Sequence, residues 1–599
     1  LPDTLKRNTL TTAKANQLDL NILGRVMAQT RPYKSVFWLS ALLAVVLAPL
    51  ATLRPYLVQR MVDDHIFSFD MEGLGRLALI FAATLLLHAG LQYLFIYLTN
   101  WLGQVVVRDL RVKVFGHVTA LRLSFFDRTP IGNITTRTIN DLETINQVFS
   151  QGVITMMADV LTLLVVLSIM LITSWKLTLI CMITMPFLVL ASYIFKEKVK
   201  ASFQSVRTQV ARMNAFLQER ISGMRIVQIF NAERQEAGRF EAINKDYTKA
   251  NLDSVLYYAV FYPVVEIISA ASLGLMVWYG ARGVVAEEVT LGVLVAFPIY
   301  LNMLFNPIRV LADKFNTLQM GLVASERVFH LLDQEEQVEA GGTYSPQRLK
   351  GEVTFDHVSF AYTENNPVLK EVSFQVAPGQ TLAIVGATGS GKSTIIGLLM
   401  RFYPYSQGQI LVDGTDIRTY DLPAYRRRIA LVLQDVFLFS GTVLENITLR
   451  DSSITEAEVI HAAKMIGAHD FIERLPGAYQ YQVMERGATL SMGQRQLISF
   501  VRALVFDPDI LILDEATSSI DPESEAIIQF AIETLVAKRT SIIIAHRLST
   551  IRHANRILVL HKGQVEEMGT EEELLKIEDG HYKKLHEMQF LQFSENTRD

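Results

Sequence analysis

Cysteine is almost missing from this sequence of 599 residues: Cys181 is the only one, and it lies in an apolar run. A single thiol excludes an internal disulfide framework and fits a soluble portion in a reducing compartment. Charge is scarce as well, at 19 % of residues, and the formal net charge is −4. No basic run interrupts this balance, so nothing marks a nucleic-acid-binding surface. The charged residues are thin before about residue 310 and frequent after it. What the sequence has in abundance is hydrophobic side chains, 50 % of the total, with a positive mean hydropathy. A chain of this length exceeds one compact core, so several domains are expected, a membrane half followed by a soluble half. The sequence opens on Leu1 rather than Met, and the expectation is a natural start further upstream. Residues 1–34 are polar and helix-like, which argues against a cleaved signal peptide there.

A spanning helix needs about 20 mostly apolar residues. Six stretches qualify: Val36–Val58, Leu77–Leu102, Val153–Thr173, Leu177–Phe195, Tyr257–Tyr279 and Leu291–Leu311. Trp175-Lys176 predicts a tight hairpin between the third and fourth, and the joints after the first and fifth are also short. The joints after the second and fourth are much longer, read as helices, and carry many basic residues, among them Arg108, Arg111, Lys113, Arg122, Lys196, Lys198, Lys200 and Arg207. The positive-inside rule therefore places both long joints and both termini in the cytoplasm. Helices of that length reach roughly 35 Å below the bilayer. Their turns are expected near Ser124–Gly132 and Gly223–Phe230, and the apolar pair Phe125-Phe126 at the first turn points to docking on another surface. Ionisable groups within spans are costly and mark candidate functional positions. Here they are His88, Asp159 and Glu266. Glu266, near the middle of the fifth span, either locks helices together or faces a central cavity and selects cargo, with His88 as a second cavity candidate.

Residues 312–350 read as a linker, and after them apolar strands alternate with helices in the manner of an α/β domain. The strand Thr381–Val385 runs into "GATGSGKS", Gly386 to Ser393, and then a helix. This is G-x-x-x-x-G-K-[ST] in the strand–loop–helix setting that a phosphate-cradling loop requires. Gly386, Gly389 and Gly391 let backbone N–H groups fold around phosphates, with Ala387, Thr388, Ser390 and Thr394 completing the loop and helix start. Lys392 is placed to neutralise the β and γ phosphates and Ser393 to offer a hydroxyl to Mg²⁺, so the motif binds ATP or GTP. "DILILDEATSSID" ends an apolar strand on Asp514, suited to Mg²⁺, with Glu515 next, suited to polarising an attacking water. A further apolar strand ends at His546, which as a lone histidine is structural but as the third group at one edge contacts the γ-phosphate. Gln434 follows the strand "IALVL" and is placed to sense the same phosphate or the metal.

A second anion site then stands out. "LSMGQ" opens a helix with Ser491, Gly493 and Gln494 at its start, and a helix start with a serine hydroxyl holds anions. One nucleotide is already cradled by residues 386–393, so this site lacks a ligand within its own domain. Two copies arranged head to tail supply one, each copy's Ser491 and Gly493 covering the γ-phosphate on the other's loop.

Taken together, six spans followed by "GATGSGKST", "LVLQD", "LSMGQRQ", "LILDEATSSID" and "IIIAHRLST" resemble an ATP-binding cassette half-transporter of the exporter type across nearly the whole chain. The resemblance implies a helical six-span membrane domain fused to an α/β P-loop nucleotide-binding domain. It implies ATP as the nucleotide, since Tyr362 in "FAY" matches the aromatic that stacks on adenine. By the same resemblance Gln434 belongs to the Q-loop, Ser491 to Gln494 to the signature motif, Ser518 to Asp521 to the D-loop, Glu515 is the catalytic glutamate and His546 the switch histidine. "SFFDRTPIG" and "GMRIVQIFNAERQE" resemble intracellular loops whose short helices dock on the cassettes, the second on the opposite subunit. Two departures stand out: Met492 where the family's LSGGQ has Gly, and Met484 in "VMERG", beside Glu485, where exporters commonly have Gly.

The expected domains are an N-terminal cytoplasmic segment (1–34), a transmembrane domain (35–311), a linker (312–350), the cassette (351–590) and a tail (591–599). The expected activity is ATP-driven export by alternating access, with ATP and Mg²⁺ as cofactors and catalytic roles for Glu515, His546, Gln434 and Lys392. A second half-transporter, identical or related, would be the partner, in what is expected to be a bacterial inner membrane with lipids around it. The cargo is hydrophobic or amphipathic: a drug, lipid or peptide. A nucleotide-gated channel or regulatory subunit and an exporter-fold importer are the rival readings, which single-channel currents and the direction of vesicle flux separate.

Overall fold

The computed structural model describes residues 20–66, 68–338, 341–363, 366–405, 407–514, 522–545 and 554–587. It forms two compact units, Leu1–Thr119 with Pro130–Glu335, and Ala120–Thr129 with Glu336–Asp599. The first is built from long helices: Lys34–Arg60, Met71–Thr119, Val153–Thr173, Trp175–Met182 continued by Met185–Ser222, Glu233–Val285 and Leu291–Leu332. Among the described residues, five helical stretches are long and apolar enough to cross a membrane, and a sixth, shorter apolar segment is Leu291–Pro307. The helix Met71–Thr119 has 49 residues, about 70 Å at 1.5 Å per residue, against a hydrocarbon core of about 30 Å. Such helices pass well beyond a bilayer without a break.

Three details differ from the sequence reading. The turn between the third and fourth spans is at Ser174, not Trp175-Lys176. Ser174 is extended (φ −160°) and its hydroxyl accepts from the Leu177 N–H at 3.4 Å, so Trp175 already lies in a helix. That helix is interrupted after Met182, where Pro186 follows near the start of Met185–Ser222. The expected linker is also mostly structured. The sixth helix continues to Leu332, and Leu349 is buried in the core of the second unit. Asp159, read as an ionisable group within a span, is paired with Lys314.

Polar contacts fasten the joints of the first unit. The Asp63 carboxylate accepts from the Thr290 hydroxyl and the Gly292 N–H, each at 2.7 Å, and Lys176 meets Glu288 at 2.7 Å. The two legs Met185–Ser222 and Glu233–Val285 are joined by Phe195 stacked on Phe261 at 3.9 Å and by a 2.6 Å hydrogen bond between the Ser202 and Ser254 hydroxyls.

The second unit is an α/β domain with two principal sheets. Strands β1 (Val353–Ala361), β2 (Pro367–Val376), β4 (Gln407–Val412) and β5 (Thr415–Asp416) form an antiparallel sheet in the order β2-β1-β4-β5. Strands β3 (Thr381–Val385), β6 (Ile429–Val432), β9 (Ile510–Asp514), β10 (Thr540–Ile544), β11 (Arg556–His561) and β12 (Gln564–Gly569) form the other, ordered β12-β11-β3-β10-β9-β6. Only the β11–β12 pair in it is antiparallel, and a separate antiparallel ribbon joins β7 (Gly441–Thr442) to β8 (Gln482–Val483). In the larger sheet the central strands are buried almost along their whole length and largely apolar because both faces are covered. Ala383, Val385, Leu511, Leu513 and Ile543 turn toward a core shared with the helix Met492–Val505. Leu382, Ile384, Ile510, Ile512 and Ile544 turn toward a second core with the antiparallel sheet.

The Asp159–Lys314 pair yields a test. Lys314→Ala leaves a carboxylate without its cation, at a cost on the order of 3 kcal/mol. A fall in melting temperature is expected, with at least half recovered when Asp159→Asn is added; equal melting of single and double variants would show that the pair is not coupled.

Candidate nucleotide site

The register of the parallel strands assembles the site. Ile544 pairs with both Ile384 and Asp514, and Val432 pairs with Leu513, so the carboxyl ends of β3, β10, β9 and β6 come level. At that edge lie the loop after Val385, the half-buried Asp514 and the exposed Gln434. Loops at the carboxyl ends of parallel strands form the usual crevice for a ligand. Glu515, Ser518 to Asp521 and His546 lie outside the described residues, although the strands that precede Glu515 and His546 end at this edge.

The loop 386–393 has the shape its sequence predicts. Gly386 (φ +154°) would place a Cβ 2.2 Å from the Leu560 carbonyl oxygen, and Gly391 (φ +108°) one 2.6 Å from Leu369 Cδ2. At Gly386 the neighbour is backbone, so only glycine fits; at Gly391 it is a side-chain tip, and the positive φ is what favours glycine. Gly391 caps the helix Lys392–Leu399, whose first N–H groups have no intrahelical acceptor. Lys392 is 6 % exposed, and its ammonium donates to the carbonyls of Gly386 and Ala387 at 2.8 and 3.1 Å. The Ser390 hydroxyl is buried with no hydrogen-bond partner. Ser393 is exposed and Thr394 buried. A glycine-lined cradle, a buried ammonium and an orphaned hydroxyl fit a phosphate chain. Ser393, Gln434 and Asp514 offer hydroxyl, amide and carboxylate oxygens, the hard donors that suit Mg²⁺.

Tyr362 is exposed, and its hydroxyl lies 3.2 Å from that of Thr394 at the helix start. Its ring meets Tyr403 edge-on, with centroids 5.1 Å apart. Tyr403 is the functional residue that sequence reading missed, because nothing local in "RFY" relates it to Tyr362 or to the loop 120–129. Its hydroxyl donates to Asp127 at 2.5 Å. Burial, then this hydrogen bond, hold the Tyr403 phenol well above its ordinary pKa, so it remains a donor. The same loop is bound by main chain. Arg122 N–H donates to Glu336 O and Val338 N–H to Ala120 O, both at 2.9 Å, and Arg122 Nε donates to Gln337 O at 2.8 Å. Phe125, on the short helix Leu123–Arg128, is only 9 % exposed. The first helical turn is therefore docked, through Phe125 rather than through an exposed pair.

The second anion site is a complete capping box. Ser491 Oγ accepts from the Gln494 N–H at 3.2 Å, and Gln494 Oε1 accepts from the Ser491 N–H at 3.0 Å. Gln494 is thus committed to the cap through its carbonyl, while the exposed Ser491 keeps its hydroxyl proton for another acceptor. Gly493 is buried. Gln434 and Met492 line one hollow of about 350 Å³ together with Phe437, Arg486, Arg495 and Gln496. Met484, 63 % exposed, lines a neighbouring hollow with Glu485. The two cavity candidates are not gathered into a site: Glu266 is exposed on Glu233–Val285, which rules out a buried lock within this chain, and His88 is half-buried on Met71–Thr119.

Known proteins carry the same plan. The family described as "ABC transporter transmembrane region" matches residues 37–308, and that described as "ABC transporter" matches residues 369–518. The chain is 39 % identical over 556 residues to the ABC transporter ATP-binding protein YknV of Bacillus subtilis, covering 92 % of each. It is 35 % identical over 572 residues to an ATP-dependent lipid A-core flippase of Syntrophus aciditrophicus, covering 95 % of each. Among solved structures, a bacterial Atm1-family ABC exporter with ATP bound matches with a TM-score of 0.75 and 30 % identity, over 92 % of this chain and 97 % of that one.

Two outcomes are expected from these contacts. Gly386→Ala should weaken ATP binding more than tenfold, whereas Gly379→Ala, also at positive φ (+73°) but with open space around the new methyl, should leave binding within about twofold of the parent at a stability cost of about 1 kcal/mol; equal effects would deny the tight cradle. Tyr403→Phe removes a hydrogen bond worth roughly 1 kcal/mol at this partly exposed position. Hydrogen exchange of the amides of residues 120–129 should accelerate about fivefold, and unchanged exchange would mean that Asp127 is not what holds the loop.

Proposed function

Since the chain belongs to the ATP-binding cassette transporter family, as a multi-pass membrane protein of the exporter type that couples ATP hydrolysis to transport, we propose that it works as a pair of half-transporters holding ATP between their cassettes. The single observation that carries this reading is the pairing of a fully shaped phosphate cradle with a second, exposed anion-binding helix start at Ser491. One cassette has two half-clamps for one phosphate chain, and a second copy resolves the surplus. The second long joint supports the same pairing. Its tip leaves Met224, Ile226, Ile229 and Phe230 exposed, at 40, 60, 61 and 73 %, whereas the first tip buries Phe125. Exposed apolar tips seek a cover, and a partner's cassette would supply one.

In this mechanism Gly386, Gly389, Gly391 and the N–H groups of Ala387, Thr388 and Ser390 hold the phosphates. Lys392 turns from its loop carbonyls to the β and γ phosphates, and Tyr362 stacks on adenine. Ser393, Gln434 and Asp514 would hold Mg²⁺, which when bound neutralises charge on the phosphate oxygens. From the other copy, Ser491 donates its hydroxyl proton and Gly493 its N–H to the γ-phosphate. Glu515 accepts a proton from the attacking water and orients it, and His546 contacts the γ-phosphate. ATP stabilises the closed pair through contacts that exist only when both halves meet, so closure is favoured by the difference in affinity between closed and open states. Tyr403, bridging Tyr362 and Asp127, passes the state of the nucleotide to the loop 120–129, and the long helices carry it to the membrane domain.

The cargo is a hydrophobic or amphipathic compound taken from the cytoplasm or inner leaflet of a bacterial inner membrane, with Glu266 and His88 as cavity candidates. The lipid A-core flippase among the relatives supports the amphipathic end of that range. Glu515→Gln should keep ATP binding, lower turnover at least a hundredfold and accumulate closed pairs on cross-linking. Hydrolysis near the parent rate in that variant would remove Glu515 from this role. Ser491→Ala should slow turnover at least tenfold while ATP affinity of the separated cassettes is unchanged.

A further inference from the structure

The hairpin β11–β12 carries a cluster that nucleotide hydrolysis does not use. It turns at Lys562-Gly563, both at positive φ (48° and 86°), the conformation of a two-residue type I′ turn. His561 pairs with Gln564 across it, and the pairing shifts register between Val559 and Leu560, leaving Glu566 as the extra residue opposite them. A bulge of this kind re-aims a side chain. Here the Glu566 carboxylate comes to 2.8 Å from His581 Nε2, and the His581 ring stacks on His561 with centroids 4.6 Å apart and planes 30° from parallel. One donor atom from each of the three lies within 4.8 Å of the other two, the only such trio of His, Cys, Asp or Glu among the described residues.

The neighbouring carboxylate fixes the third member in place. Glu567 accepts the backbone N–H groups of His581 and Tyr582 at 2.5 and 3.0 Å, and Tyr582 is 1 % exposed. Adjacent glutamates thus have separate tasks: Glu567 anchors the helix start, and Glu566 meets the ring that this start presents. A plain ion pair needs one imidazole and one carboxylate. A second imidazole adds nothing to it, and as a cation would weaken it. Two imidazoles and a carboxylate converging on one point are instead a recurrent donor set for zinc, with a fourth position left for water. The His581 and Glu566 side chains remain 43 and 35 % exposed, so an ion has access. Ligands about 2.1 Å from a tetrahedral ion stand roughly 3.4 Å apart, a contraction that side-chain rotations of two surface residues supply.

We propose that His561, Glu566 and His581 form a binding site for a divalent cation of the zinc type, clamping the β11–β12 hairpin to the helix that begins at His581. Its place is structural in a telling way. Leu560, one residue before His561, is the residue whose carbonyl closes on Gly386, so the clamp secures the strand against which the phosphate loop is folded.

The test uses the purified full-length chain without nucleotide, titrated with Zn²⁺ in a calorimeter and by equilibrium dialysis. His561→Ala, His581→Ala and Glu566→Gln should each weaken one binding event at least about tenfold, with the double histidine variant losing it altogether. Melting temperature should rise with Zn²⁺ in the parent and not in the double variant. Should the variants fail to fold, Co²⁺ added to the parent chain gives an independent reading: the strong visible bands of a four- or five-coordinate nitrogen–oxygen site support the proposal, and the weak spectrum of a six-coordinate aqua ion overturns it. Identical Zn²⁺ isotherms for the parent and a folded double variant would overturn it equally.

Discussion

The cassette depends on the pairing register of four parallel strands. Because Ile544 is level with Ile384 on one side and Asp514 on the other, loops far apart in sequence open at a single edge. A slip of one residue would turn every side chain of a strand to the opposite face, taking Leu382 and Ile384 out of one core and forcing Ala383 and Val385 into it. Burial on both faces therefore fixes not only the fold but the height at which Gly386, Gln434 and Asp514 emerge. The phosphate cradle then needs no flexibility. It needs a loop whose Gly386 is pressed against the Leu560 carbonyl so closely that glycine alone fits.

From that edge two connections lead outward, and they are different in kind. One stays within the chain: Thr394, Tyr362, Tyr403 and Asp127 form a short sequence of hydroxyl and ring contacts from the phosphate loop to the tip of the first long joint. Backbone hydrogen bonds of residues 120–122 to 336–338 reinforce it. The other belongs to the proposed pairing with a second chain. Ser491 and the apolar tip around Phe230 are finished on this chain's side and uncovered. In the proposed pair, one partner would engage both the exposed Ser491 hydroxyl and the apolar tip.

Much of this was legible in the sequence because the chemistry of phosphate is local. The loop 386–393 lies in one stretch, with its glycines, lysine and serine at fixed spacing, and so does the capping box at Ser491. The membrane helices were legible because apolar length is a local property. What could not be read depended on contacts between distant segments. Tyr403 has no sequence signal linking it to Asp127. The sixth helix runs on to Leu332 with Leu318, Leu322, Ser325 and Phe329 buried at helical spacing, a periodic signal that the linker reading passed over because charged residues are interleaved with it. The partner of Asp159 was not legible because its cation, Lys314, is on another helix. The His561, Glu566 and His581 trio was invisible for the same reason, a bulge and a helix start being needed to gather it. Glu515 and His546 lie outside the described residues, and their proposed roles rest on the sequence.

The sharing of each ATP between two chains is tested most directly by distributing two lesions. Mixed pairs are purified through two different tags in a Glu515→Gln background, so that retention of ATP and not turnover is read. Lys392→Ala spoils the phosphate cradle and Ser491→Ala spoils the covering helix start. With the lesions on opposite chains, head-to-tail sharing concentrates both in one site and leaves the other whole, so one ATP is retained per pair; with both lesions on one chain, each site is damaged and none is retained. If each nucleotide were held within a single chain the two results would be exchanged, and that exchange would contradict the arrangement proposed.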